Sequence, residues 1–189
     1  VRSKQKIIEF CRIIDKHFQP VFIDTETTGL GRSAEFITFS AVDDLGNILL
    51  DVIGKPRLPS NPDATAIHGY TEDILATKEA TVTYKSRITN LVTGRCLVAY
   101  NAPFDYRILS QSFQSELSDE KHEYFNAPFL MVIDCMRLFA EFVGSNKNIK
   151  LKTACEMCGI DTEGVKFHGS LADAEMTRKV FQYMANYVV

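Results

Sequence analysis

The chain has 189 residues, 46% hydrophobic and 24% charged, with a net charge of −3. A chain this long buries roughly 70% of its unfolded surface and needs no disulfide or zinc staple, and its composition excludes disorder, collagen and coiled coil. The longest apolar run, about Phe129 to Ile133, is too short to span a bilayer, and the N-terminal segment is charged throughout (Arg2, Lys4, Lys6, Glu9, Arg12), unlike a secretory signal; no membrane partner and a cytoplasmic location are expected.

In chain order, Ile7, Phe10, Cys11, Ile14 and Phe18 recur at helical spacing over 4–18, and Pro20 ends that pattern. Val21-Phe22-Ile23 reads as a short buried strand. Glu35–Val42 and Ile48–Val52 flank Asp43-Asp44-Leu45-Gly46-Asn47 and read as a hairpin, with Gly46 or Asn47 at positive φ. Residues 54–66 hold three prolines and read as a loop. Helices follow near 71–76 and 81–93, then a strand at Cys96–Tyr100 and a helix from Pro103 to about Phe113. Phe129–Ile133 reads as a fifth strand, Cys135–Val143 as a helix, and Leu151–Cys158 as a short helix stopped by Gly159. The last helix carries Leu171, Ala174, Thr177, Val180, Phe181, Met184 and Val188 on one face, with Ser170 as its N-cap. This order predicts one α/β domain over 1–189: a mixed five-stranded sheet, its first three strands a meander, with helices on both faces. The segment 1–18 is an additional N-terminal helix packed on the back of the sheet.

Cysteines at 11, 96, 135, 155 and 158 form an odd, scattered set that reads as reduced thiols. Cys155 and Cys158 share one helix face, and no second Cys or His pair follows at zinc-finger spacing, so they read as core thiols.

Asp24 and Glu26 stand at the end of the first strand. Period two places both carboxylates on one face, about 6.6 Å apart along the strand. Like charges this close need a cation or a proton between them. Open α/β sheets place ligands at the carboxyl ends of their strands. Asp105 follows the fourth strand, in the first turn of a helix. Asp173 occupies the first turn of the last helix, and His168 lies five residues before it on a loop. First-turn acids are favoured by the helix dipole, so Asp105 and Asp173 also have a purely structural reading.

Taken together, Asp24-Thr25-Glu26-Thr27-Thr28-Gly29-Leu30, Asn101-x-x-Phe104-Asp105 and His168-x4-Asp173 resemble the three motifs of the DEDD 3′→5′ exonucleases. The His-x4-Asp form marks the DEDDh (DnaQ-like) branch, to which the proofreading subunit of bacterial replicative polymerase belongs. The resemblance runs from about Pro20 to the end. It includes Glu35-Phe36-Ile37 and Ala66-Ile67-His68-Gly69-Tyr70-Thr71, with Tyr70 where an aliphatic residue is usual. Where many members open the second motif with His-Asn, this chain has Tyr100-Asn101.

The resemblance implies a ribonuclease H-like fold and a metal-dependent exonuclease that hydrolyses single-stranded DNA from its 3′ end to nucleoside 5′-monophosphates. Asp24, Glu26, Asp105 and Asp173 would hold two Mg²⁺ or Mn²⁺ ions, for which an oxygen-only donor set is suited. Paired ions of this kind activate water and stabilise the leaving oxygen of an in-line displacement. His168 would be the general base, since imidazole titrates near neutrality. Thr27, Thr28, Gly29, Leu30, His68, Asn101 and Phe104 would receive the terminal nucleotide, Leu30 as an apolar wedge against its base. The four acids exceed the whole net charge, so a metal-loaded cleft on an otherwise near-neutral protein can accept a polyanion despite the acidic composition.

Three other readings compete. The first is an exoribonuclease of the same branch; the Asp-Thr-Glu-Thr-Thr-Gly-Leu string tilts toward DNA, since oligoribonucleases often carry Met after the Glu. The second is a haloacid-dehalogenase-like phosphatase, echoed by Asp24-x-Glu26-x-Thr28, but that family requires Asp as the second acid. The third is an inactive binding module, which predicts a lost ligand, whereas all five site residues are present. Proofreading subunits carry a polymerase-binding tail, while only 16 residues follow Asp173 here and read as one helix. A free-standing, phage- or repair-type enzyme is therefore expected over a polymerase-bound one, with a polymerase or repair complex as the protein partner the family implies.

Overall fold

The computed structural model describes residues 3–113 and 128–188. It begins with helix α1 (Lys4–His17), whose N-cap Ser3 accepts from the Lys6 amide. Its apolar face, Ile7, Ile8, Cys11 and Ile14, is buried, whereas Phe18 lies just past its end and is exposed. Strand β1 (Val21–Thr27) follows, then β2 (Phe36–Val42) and β3 (Ile48–Ile53). These three form the predicted antiparallel meander, and the turn between β2 and β3 has Gly46 at φ +88°. The Asp43 carboxylate closes that turn by accepting from the Leu45 and Asn47 amides.

Strands β4 (Cys96–Ala99) and β5 (Met131–Asp134) run parallel to β1, giving the order β3-β2-β1-β4-β5. This is the mixed five-stranded sheet of a ribonuclease H-like α/β fold. β5 starts two residues later than its apolar run predicts, because the preceding backbone bonds to the segment before β4: Gly94 N–H reaches Pro128 O and Leu130 N–H reaches Arg95 O.

Residues 54–66 are not all loop. Helix α2 (Pro62–His68) starts inside them, with Asn61 Oδ1 capping the Asp63 amide, Pro62 in the first turn and Gly69 at φ +80° ending it. A proline in the first turn gives up only an amide that has no helical partner. Helix α3 (Glu72–Ala76) is followed by a 3₁₀ turn (Thr81–Tyr84) and helix α4 (Lys85–Val92), where a single helix over 81–93 is predicted. The break has a tertiary cause: Thr81 is buried, donates its hydroxyl to Phe36 O and donates its backbone N–H to Lys55 O.

Helices α5 (Ala102–Ser112), α6 (Cys135–Phe142), α7 (Leu151–Met157) and α8 (Ser170–Asn186) complete the set. The predicted cap of α8 moves by one residue: Gly169 is the N-cap and Ser170 is already helical, its hydroxyl turned to β2. α8 also ends before Val188, which is exposed.

Alternation along β1 divides the core. Val21 and Ile23 face α4 and α5 together with Leu97 and Ala99. Phe22 faces α1, α6, α7 and α8 together with Val98 and Ile133. The N-terminal helix lies on this side but packs chiefly against α8 and α6 rather than on the sheet itself, and Lys4 Nζ sits 3.9 Å over the Tyr187 ring and 4.4 Å over Phe142. Phe181 of α8 meets Phe22 edge-to-face at 5.6 Å with both rings fully buried. Phe181→Ala is expected to lower unfolding free energy by about 3–5 kcal/mol in a denaturant titration, the usual cost of emptying an aromatic core site.

All five cysteines are free thiols. No described helix is long and apolar enough to cross a membrane.

Candidate active site

β1 sets the first two carboxylates. Its register pairs Asp24 with Ser40 and Glu26 with Thr38, so both acids leave the sheet on the α8 side. At Glu26/Thr27 the β1–β2 register shifts, and the chain turns away toward Gly29 at φ +155°. α8 supplies the third acid. Asp173 lies in its first turn and accepts from the His168 amide at 3.2 Å through Oδ2. Its Oδ1 is buried and has no hydrogen-bond partner among the described residues. Ligand atoms of Asp24, Glu26 and Asp173 all lie within 4.8 Å of one another.

Asp105 comes from the first turn of α5 and is 2% exposed. It is not one of that trio, though its charge bears on Asp24, and Thr25 donates Oγ1–H to its Oδ1 at 2.8 Å. Asn101 reaches the left-handed region at φ +78° to start α5, and its amide donates to Asp134.

The electrostatics of the cluster follow from burial and like charge. Enclosure by protein pushes Asp24 well above the usual carboxylate range, and Asp105, Asp173 and Glu26 add to the rise. Burial, then Asp173 and Asp105, lift Glu26 to about 7. Burial lifts Asp105 to about 7 against the lowering effect of its Thr25 bond. Asp173 is raised by burial, with the His168 amide and imidazole opposing. Without a cation the cleft therefore holds protons at neutral pH. An unpaired buried oxygen on one of three clustered carboxylates fits a hard divalent cation, and among the described residues no nitrogen or sulfur ligand joins the group.

Beside the acids lies a cavity of about 470 Å³. Of the residues expected to hold a nucleotide, Thr27, Gly29, Leu30, His68 and Phe104 line it, as does His168. Leu30 is 81% exposed, an apolar side chain with no packing role of its own. His168, at φ +64°, sits in the left-handed region on the loop before α8.

Two expected residues do not line the cavity. Thr28 is buried behind it, its hydroxyl accepting from the Glu35 amide, and Asn101 serves the start of α5. Asn61 and Ile67 were not expected and do line it. They come from α2 and its cap, and the signal that would have found them is the Asn61-Pro62…Gly69 helix frame.

His68 is 6% exposed, and its Nδ1 accepts from the Tyr70 amide at 3.0 Å. That bond assigns the proton to Nε2, which is buried and has no close hydrogen-bond partner among the described residues, the Thr27 carbonyl being its neighbour. Burial lowers its pKa, and the Thr27 carbonyl opposes this.

A larger cavity of about 980 Å³ lies between α1, β5 and α6. It contains none of the clustered carboxylates, so chemistry and not volume identifies the site.

A family model described as exonuclease matches residues 21–181, starting at the first residue of β1 and leaving α1 outside. The chain is 33% identical over 172 residues to the uncharacterized exonuclease CP81 of Escherichia phage 186, with 87% of each chain covered. It is 26% identical over 174 residues to DNA polymerase III subunit epsilon of Haemophilus influenzae, covering 87% of this chain and 66% of that protein, just under two thirds of its length. Among solved structures it is similar to exonuclease X in complex with 5′-overhanging duplex DNA, with a TM-score of 0.62, 24% identity, and coverage of 87% of this chain and 90% of that one. It is also similar to the Mg²⁺- and Mn²⁺-bound form of S. pombe Pop2p, with a TM-score of 0.69, 14% identity, and coverage of 97% and 90%. At these identities the two structures speak to the fold.

Proposed function

Because this chain belongs to the DEDDh (DnaQ-like) 3′→5′ exonuclease family, we propose that it hydrolyses single-stranded DNA from the 3′ end and releases nucleoside 5′-monophosphates. The observation that carries this reading is the carboxylate trio Asp24, Glu26 and Asp173, with its unpaired buried oxygen, beside a cavity of about 470 Å³ that Glu26 lines and Leu30 borders with an apolar lip.

Asp24, Glu26, Asp173 and Asp105 would hold two Mg²⁺ or Mn²⁺ ions. Such ions, when bound, polarise a phosphoryl oxygen and neutralise the charge that develops in its displacement. The protein's own residues do the rest. Leu30 and Phe104 offer apolar faces to the terminal base, which gives sequence-tolerant binding of a single strand. His68 presents Nε2–H inside the cavity as a donor to the sugar or phosphate. Its low exposure and single tautomer keep that donor pre-oriented. His168 is the general base: it lines the cavity and lies one loop from Asp173. Asp173 accepts its backbone N–H, which holds the loop and leaves the imidazole free to take the proton of the attacking water. DNA is preferred over RNA in this reading, in line with the relative named as a DNA polymerase subunit. A polymerase or repair assembly is the proposed setting.

His168→Ala is expected to lower kcat by about 10²–10⁴-fold, the usual worth of a general base, while Mn²⁺ affinity measured by calorimetry is retained. The reading as a whole is tested with 5′-labelled single-stranded DNA and RNA oligonucleotides in Mg²⁺ and in EDTA. A stepwise ladder of 3′-shortened DNA, lost in EDTA, supports it. A ladder on RNA alone moves the protein to RNA turnover, and shortening from the 5′ end contradicts the assigned direction.

A further inference from the structure

Asp173 can complete the carboxylate cluster only if α8 is seated correctly on the sheet, and the contact that seats it is polar. Elsewhere α8 meets the sheet through apolar pairs such as Phe181 on Phe22. At its first residue, Ser170 Oγ lies 2.7 Å from Ser40 Oγ and 2.8 Å from Thr38 Oγ1. All three hydroxyl residues are buried, at 4%, 0% and 3% exposure. The β1–β2 register puts Thr38 opposite Glu26 and Ser40 opposite Asp24, so the hydroxyls occupy the sheet face from which both acids project.

The group is connected at both ends. Glu26 N–H donates to Thr38 Oγ1 at 3.2 Å, and Ser40 Oγ–H donates to the Asp51 carboxylate at 2.7 Å. Ser170 Oγ–H donates to Thr38 Oγ1, which also accepts from the Glu26 amide, while the 2.7 Å contact between Ser170 and Ser40 can be donated from either side. The Glu26 amide, Thr38, Ser170, Ser40 and Asp51 are thereby joined in one connected group between the sheet and α8. A buried polar cluster of this kind is costly unless every member is satisfied, and once satisfied it tolerates only one seating of the helix.

We propose that Ser170, held between Thr38 and Ser40, is a positioning residue that sets the spacing between Asp173 and the pair Asp24 and Glu26, and thereby the divalent-cation affinity of the site. Ser170 and Asp173 are three residues apart on α8 and share a face, so fixing one fixes the other. Thr38 holds the Glu26 backbone at the point where the strand register shifts. The proposal rests on the metal-dependent reading of the site.

The test measures Mn²⁺ affinity by calorimetry, thermal stability, and kcat and KM on single-stranded DNA. Ser170→Ala is expected to weaken Mn²⁺ binding about tenfold, as loss of a group supporting metal ligands commonly does, and to lower kcat with KM unchanged. Ser170→Thr, which keeps the hydroxyl, restores binding. Val180→Ala, a core truncation in the same helix, lowers the melting temperature but keeps wild-type Mn²⁺ affinity. If Ser170→Ala fails to fold, Thr38→Val, which keeps shape and removes the hydroxyl, gives the same reading of affinity. A Ser170→Ala protein with lowered stability and wild-type Mn²⁺ affinity overturns the positioning role. A wild-type protein that takes up no Mn²⁺ overturns the underlying reading of the site instead.

Discussion

Asp24→Asn is expected to reduce exonuclease activity by at least about a thousandfold, equivalent to roughly 4 kcal/mol of transition-state stabilisation, and at the same time to make the metal-free protein more stable. The two effects have one origin. Asp24 is enclosed by protein and feels Asp105, Asp173 and Glu26, so its ionised form is disfavoured in the folded chain. Asparagine keeps the shape and removes a charge whose only strong compensation is a bound cation. Each kcal/mol gained shifts the melting temperature by about 2–4 °C for a chain of this size. Thermal unfolding in EDTA at pH 8, set beside activity in Mg²⁺, measures both effects. An Asp24→Asn protein that loses stability along with activity would show that the carboxylate is held by hydrogen bonds and not strained by its neighbours.

The second large effect is a pH dependence that reverses when metal is added. Glu26 and Asp105 are both lifted to about 7, and Asp24 and Asp173 are raised as well. For an acid whose folded pKa lies above its unfolded value, the associated stability is fully present below the unfolded value, near 4. It is lost as pH rises through the folded value. The metal-free protein is therefore expected to lose stability between about pH 4 and pH 7 and to stay lower above it. A divalent cation binds the ionised form, so the stabilisation it confers grows over the same window, and binding near pH 7 releases protons. Melting temperatures at pH 5.5 and pH 8, with Mn²⁺ or EDTA, test the sign. Calorimetry in two buffers of different ionisation enthalpy counts the protons. Metal stabilisation that is equal at both pH values would contradict the account.

Much of this architecture follows from local patterns. Asp24 and Glu26 share a face because strand residues alternate. Asp105 and Asp173 sit in first turns because Pro103 and the Gly169-Ser170 pair mark helix starts. Features governed by partners distant in the chain were less legible. Asp105 sits beside Asp24 yet outside the tight trio, and its Oδ1 accepts from the Thr25 hydroxyl, a long-range partner that no local pattern announces. Ser170 has the right chemistry for an N-cap, yet Thr38 and Ser40 claim its hydroxyl and Gly169 takes the cap. The helix α2 was obscured by proline density over 54–66, although Pro62 directly after a capping Asn61 is a starting signal and not a break. Asn61, which caps that helix, forms part of the cavity wall together with Ile67.

The most direct measurement is a crystal structure of the protein with Mn²⁺ and a deoxynucleoside 5′-monophosphate, read in the anomalous signal of the metal. Two Mn²⁺ peaks are expected among Asp24, Glu26, Asp105 and Asp173, with the nucleotide base against Leu30 and Phe104 and its phosphate facing His168. Mn²⁺ bound elsewhere, or a nucleotide seated in the cavity between α1, β5 and α6, would contradict that assignment.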